Sequence, residues 1–148
     1  MIAFRIADRR HPIFDPTGSR LKGGRWNSPG RGVIYAAQTF AGALLEVLVH
    51  QNLGEVPSTH AMVRIDIPDD LKTESIETDW AMTDLLRTRE FGDRWIDEQR
   101  TAVLLVPSVV LRGQEKNIVL NPNHPDFQSI KVTAPEPVAW DPRLFRGR

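Results

Sequence analysis

Residues 33–50 constrain the fold most. Val33–Ala37 (VIYAA) follows Pro29-Gly-Arg-Gly and is apolar and β-leaning, the pattern of a short buried strand. Thr39 is then a plausible N-cap, and AGALLEVLVH continues as a helix to about His50. The chain therefore turns from a buried strand directly into a helix with an apolar face. Around this unit, Ile2–Ile6 reads as a first strand. Residues 8–24 carry two Pro, three Gly and no apolar periodicity, which predicts a loop.

Further along, Ala61, Val63, Ile65 and Ile67 alternate with Met62, Arg64 and Asp66, giving a half-buried strand closed by Pro68. Residues 80–99 are polar with scattered apolar positions and predict one or two surface helices. Ala102–Val106 reads as a buried strand ending at Pro107, with weaker strands at Asn117–Leu120 and Ser129–Val132. Strands outnumber helices without strictly alternating with them. The expected class is α+β with a mixed or antiparallel sheet. At 148 residues, with no linker, repeat or low-complexity stretch, residues 1–148 read as one domain.

Charge narrows the function. The formal net charge is zero, which disfavours a dedicated nucleic-acid binder. Residues 1–32 hold seven basic and two acidic side chains, whereas 66–98 hold four basic and eleven acidic ones. The basic third suits a phosphate-bearing small ligand, and it equally suits arginines that pair with the acidic middle. The absence of cysteine excludes disulfides, thiolate nucleophiles and cysteine-ligated zinc. No cationic start precedes an apolar run, and no apolar run is long enough to span a bilayer. The expectation is a cytoplasmic chain without membrane contact.

Glu46 is the most informative residue for chemistry. Every other residue from 41 to 49 is apolar or glycine, and a carboxylate there is costly unless solvated or paired. Gln38, Gly42, Glu46 and His50 are spaced by four, so Glu46 can belong to one polar stripe of the helix. It can instead face a ligand, because helical side chains lean toward the N-terminus and Gly42 leaves that turn bare. Arg25 follows Gly23-Gly24, and a guanidinium beside paired glycines can offer a bidentate fork to phosphate or ribose. Tyr35, the only tyrosine, is either a core residue or a ligand contact near a strand-to-helix corner. Ser108 ends LLVPS with no nucleophile elbow around it, so a positioned hydroxyl is expected rather than a serine hydrolase triad. The histidines are isolated and lack H-x-x-x-H or HExxH spacing, so neither a metal site nor a histidine-based ribonuclease is expected.

The segments FRIADRR, GGRWNSPGRGVIYAA, ALLEVLVH, VPSVV, NIVLNPNHP and DPRLF together resemble the RES domain, nearly end to end. The resemblance implies an ADP-ribosyltransferase-like fold, a mixed split β-sheet with flanking helices around an NAD⁺ cleft. It implies a toxin that consumes NAD⁺ by hydrolysis or phosphorolysis, without a metal. Some relatives are similar to transferases that place ADP-ribose on a protein. It also implies an Xre-type antitoxin that docks over the cleft. The family's three name-giving residues fall on Arg25, Glu46 and Ser108, its tyrosine on Tyr35, and its asparagine-bearing loop on Asn121. The roles so implied are catalysis by Arg25, Tyr35 and Glu46, and NAD⁺ binding by Arg25, Tyr35, Ser108 and Asn121.

Overall fold

The computed structural model describes residues 1–51 and 55–146. Eight strands form one sheet: β1 Ile2–Asp8, β2 Ile34–Ala37, β3 His60–Asp66, β4 Thr73–Ser75, β5 Val103–Pro107, β6 Lys116–Leu120, β7 Lys131–Val132 and β8 Glu136–Pro137. Among the described residues four α-helices accompany them: α1 Thr17–Lys22, α2 Phe40–His50, α3 Trp80–Thr83 and α4 Leu85–Asp97. The strand order is β4-β5-β6-β2-β1-β3-β7, with β8 also on β3. Among the described residues only β4 and β5 run parallel, so the sheet is mixed, as expected for the α+β class. None of the described helices is long and apolar enough to cross a membrane.

The sheet is split near its middle. β1 pairs with β3 along seven positions, but with β2 at a single one, Phe4 opposite Ala37. Arg5 fills the wedge where these strands diverge. Its Nη1 donates to the Tyr35 carbonyl at 2.8 Å and its Nε to the Ile13 carbonyl at 2.7 Å. A guanidinium thus meets a strand carbonyl that has lost its ladder partner.

One face of the sheet buries Ala3, Ile34, Ala36, Val63, Ile65, Val103, Ile118 and Leu120 beneath Ile13 and Ile130 from flanking loops. The other face carries two separate clusters. Ala43 and Val47 of α2 cover Ile6 and Ala37, while Trp95 and Ile96 of α4 cover Leu104, Val106 and Val119. α2 starts where its sequence predicts: the Thr39 hydroxyl accepts from the Gly42 amide at 2.9 Å.

Four elements differ from the sequence reading. α1 forms within the expected loop; it buries no residue, so it leaves no apolar periodicity to detect. α4 is more than a surface helix, because Thr88, Gly92, Trp95 and Ile96 make a buried stripe. That stripe escapes a hydrophobicity reading since two of its members are threonine and glycine. β4 and β8 are edge pairings of two or three residues, too short to show a period of their own.

Candidate active site

A cleft of about 670 Å³ opens on the helix-covered face, between the two clusters. Its floor includes one row across four strands: Val106 of β5, Asn117 of β6, Ala37 of β2 and Phe4 of β1 stand in register and all line it. α2 contributes Ala43, Glu46, Val47 and His50 to one side, and Gly23, Gly24, Arg25 and Trp26 contribute to another.

Glu46 and Ser108, 62 residues apart, meet here. Glu46 Oε1 accepts from the Asn117 amide at 2.8 Å and from the Ser108 hydroxyl at 3.3 Å. Its Oε2 has His50 Nε2 at 3.7 Å. The Glu46 side chain is 25% exposed, so this carboxylate is held by neutral donors and still open to the cleft. The bare turn at Gly42 has a different use from the one expected. A Cβ there would meet Glu115 Oε2 and Thr39 Oγ1, each at 3.1 Å. Glycine makes room for the Thr39 to Glu115 hydrogen bond (2.8 Å) at the helix start, not for a ligand.

Tyr35 and Arg25 both line the cleft, and both are committed to protein groups as well. The Tyr35 hydroxyl accepts from the Trp26 amide at 3.0 Å and donates to Asn27 Oδ1 at 2.6 Å. Burial pushes the Tyr35 phenol well above its usual range, so it stays protonated. Gly24 is required for this arrangement, since a Cβ there would lie 2.6 Å from the hydroxyl. Gly23, with φ of 73°, makes the positive-φ turn that ends α1. Arg25 directs Nη2 to the Met82 carbonyl at 2.6 Å and Nε to the Ala81 carbonyl at 3.3 Å, at the end of α3.

α4 clamps the whole loop from below. Thr88 Oγ1 donates to the Arg25 carbonyl, Arg89 Nε to the Gly24 carbonyl, and Asp93 accepts from the Ser28 amide and hydroxyl. Arg31 pairs with Asp97 at 2.8 Å and lies 3.8 Å from Asp93. That contact holds Asp97 below the usual carboxylate range. Part of the basic N-terminal third is thereby spent on the acidic middle.

Two predicted positions move. Ser108 is buried and its hydroxyl turns to Glu46 while accepting from the Leu111 amide at 3.2 Å; it holds the carboxylate and is not itself on the cleft lining. Asn121 lies outside the lining. It is fully buried beyond the far end of β6, where its Oδ1 accepts from the Asn123 amide at 3.0 Å and shapes the NPNHP loop. Among the lining residues that the sequence reading did not single out are Arg5 and Asn117. Arg5 carried a signal, a cation inside an otherwise apolar strand. Burial pulls its guanidinium below its ordinary value, opposed by Asp15. Asn117 carried a weaker signal, as an asparagine in a strand that otherwise favours β-branched residues.

Fold and site together define an α+β protein whose split mixed sheet carries a cleft lined by a carboxylate that Asn117 and Ser108 hold in place. Residues 2–141 match the family model described as the RES domain, and the chain belongs to that family. Among its relatives, the "Prs ADP-ribosylating toxin" of Sphingobium sp. is 37% identical, over 87% of this chain and 84% of that protein. The "Toxin Res" of Pseudomonas putida is 35% identical over 98% of this chain and 100% of that protein. Among solved structures, a chain of the M. tuberculosis MbcT–MbcA toxin–antitoxin complex superposes with a TM-score of 0.76 at 18% identity, covering 97% of this chain and 86% of that chain. That likeness supports the fold.

Proposed function

We propose that this chain is a cytoplasmic toxin that breaks the nicotinamide–ribose bond of NAD⁺ and is restrained by a cognate antitoxin. The observation that carries the reading is the Glu46 carboxylate, which lines the cleft with its Oε1 held by Asn117 and Ser108. Cleavage leaves the bonding electron pair on nicotinamide, which departs neutral, and leaves an oxocarbenium-like ribose. A fixed carboxylate beside that centre stabilises its charge and orients the 2′-hydroxyl. The leaving group needs no protonation, in keeping with a cleft whose catalytic group is a carboxylate. Arg25 has Nε and Nη2 on α3, so Nη1 is the edge it offers to the ribose or pyrophosphate. Tyr35, its hydroxyl already engaged, offers its ring to the nicotinamide side. The names of the relatives support a toxin, and the toxin–antitoxin neighbour supports an antitoxin partner; that this partner is of Xre type and seats over the cleft rests on the family resemblance alone.

The acceptor we favour is water or phosphate, because a toxin that empties the NAD⁺ pool needs no target recognition. Transfer to a protein is the second reading, favoured by the name of the Sphingobium relative. Purified protein incubated with labelled NAD⁺, phosphate and a cell lysate separates them. Free ADP-ribose marks hydrolysis, its 1-phosphate marks phosphorolysis, and label on one lysate protein with little bulk NAD⁺ loss marks transfer. Glu46→Gln keeps the shape and removes the charge. It is expected to lower turnover by about 10²–10³-fold, the scale for losing a contact made to developing charge, with little change in melting temperature. Wild-type turnover in the folded variant would refute the assignment.

A further inference from the structure

We propose that Asn117 is a positioning residue for the reaction at Glu46; the inference rests on the function proposed above. Within the floor row Val106–Asn117–Ala37–Phe4, Asn117 is the one polar side chain. Asparagine is poorly suited to a strand whose neighbours on β6 are Ile118, Val119 and Leu120. Its presence is explained by what stands above it. Asn117 Nδ2 donates to Glu46 Oε1 at 2.8 Å, the shorter of that oxygen's two hydrogen bonds.

The geometry assigns the two carboxylate oxygens different work. Glu46 projects from a helix through three rotatable side-chain bonds, and among the described residues no lysine or arginine pairs with it; the exposed His50 has its Nε2 3.7 Å from Oε2. A free glutamate of this kind samples several rotamers. Asn117 is anchored in the sheet between Ala37 and Val106, so its amide is a fixed point. By gripping Oε1 it selects one rotamer and leaves Oε2 as the oxygen available to the ribose of the proposed reaction. Ser108 completes the grip from β5's end, but its hydroxyl is 3.3 Å away and also accepts from the Leu111 amide. The amide of Asn117 is therefore the principal constraint. Holding a reacting group in place before the chemical step removes orientation entropy from the barrier, and a displacement near 1 Å costs on the order of 100-fold.

A positioning role differs from a structural one in how it combines with Glu46. Asn117→Ala removes the donor, and Asn117→Asp removes it while keeping the shape. NAD⁺ turnover and melting temperature are measured for wild type, both variants, Glu46→Gln, and Glu46→Gln combined with Asn117→Ala. Each Asn117 variant is expected to lower kcat by roughly 10- to 100-fold with KM within about 3-fold of wild type, since substrate contacts stay in place. In the Glu46→Gln background the Asn117→Ala change should cost no further turnover, because there is no carboxylate left to orient. Wild-type kcat in both Asn117 variants, with Glu46→Gln inactive, overturns the proposal and leaves the reaction at Glu46 intact. Equal losses in the presence and absence of the Glu46 carboxylate overturn it too, since Asn117 would then act through the fold. If Glu46→Gln itself turns over NAD⁺ like wild type, the underlying reading fails and the role of Asn117 falls with it.

Discussion

Tyr35 shows how one side chain ties the site to the core. Its hydroxyl bridges the Trp26 amide and Asn27 Oδ1, so the loop that carries Arg25 hangs from β2 through this phenol. Burial raises the Tyr35 pKa by disfavouring the phenolate. The sign follows directly. Below about pH 10, the ordinary tyrosine value, the phenol is protonated in both folded and unfolded chains, and the stabilisation is fully present. Above it the unfolded chain ionises and the folded one does not, so stability falls with rising pH. Because the chain has a single tyrosine, tyrosinate absorbance reports this one group. The expected result is no ionisation step near pH 10 in the native protein, with tyrosinate formed only as the protein unfolds. A reversible native step near pH 10 would contradict the buried hydrogen-bonded phenol.

At the scale of elements, α4 is the platform of the site although it lines none of the cleft. Its buried stripe meets the backbone of the Gly24–Ser28 segment, and the closest approach is at Gly92. A Cβ added there would stand 1.7 Å from the Trp26 carbonyl oxygen, a backbone atom that cannot swing aside. In an exposed helix, replacing Gly by Ala stabilises by about 1 kcal/mol. Here the sign inverts. Gly92→Ala must push the loop off the helix, straining the Thr88, Arg89 and Asp93 hydrogen bonds with it. The expected loss is about 2–4 kcal/mol, typical of overpacking combined with broken buried contacts, measured by urea denaturation. Stability equal to or above wild type would show that α4 and the loop are not in contact.

For the whole molecule, the consequential feature is that the sheet is nearly two sheets. β4-β5-β6-β2 and β1-β3-β7 share one residue pair, Phe4 with Ala37, and the cleft lies over that seam. A continuous sheet would leave a flat floor; divergence of β1 from β2 makes a concavity. Arg5 stabilises the seam by supplying the Tyr35 and Ile13 carbonyls with charged donors. Arg5→Met retains a stem of similar length and removes both hydrogen bonds. It is expected to cost about 1.5–3 kcal/mol, the usual range for hydrogen bonds from a charged group, read from the midpoint of urea unfolding. An unchanged midpoint would mean that the seam is held by packing alone.

Local pattern was enough to determine the β2–α2 unit with its Thr39 cap and the strands from Ala61 and Ala102, which follow from the short-range rules of periodicity and capping chemistry. For Glu46, Arg25 and Tyr35 local pattern left a structural and a ligand-facing reading open, and the family resemblance chose between them. Only the tertiary structure decided what each of them touches. The Glu46–Asn117 bond spans 71 positions and the Arg5–Tyr35 bond 30, and no local period encodes which strands become neighbours or in which register. The same holds for Ser108, which turns to Glu46, and for Asn121, which shapes its own loop beyond the far end of β6. Gly42 and Gly92 look alike as helical glycines. What separates them is the partner pressed against each, a Thr39–Glu115 pair in one case and the Trp26 carbonyl in the other. Sequence determines such contacts only through the sheet order and helix packing that bring the partners together.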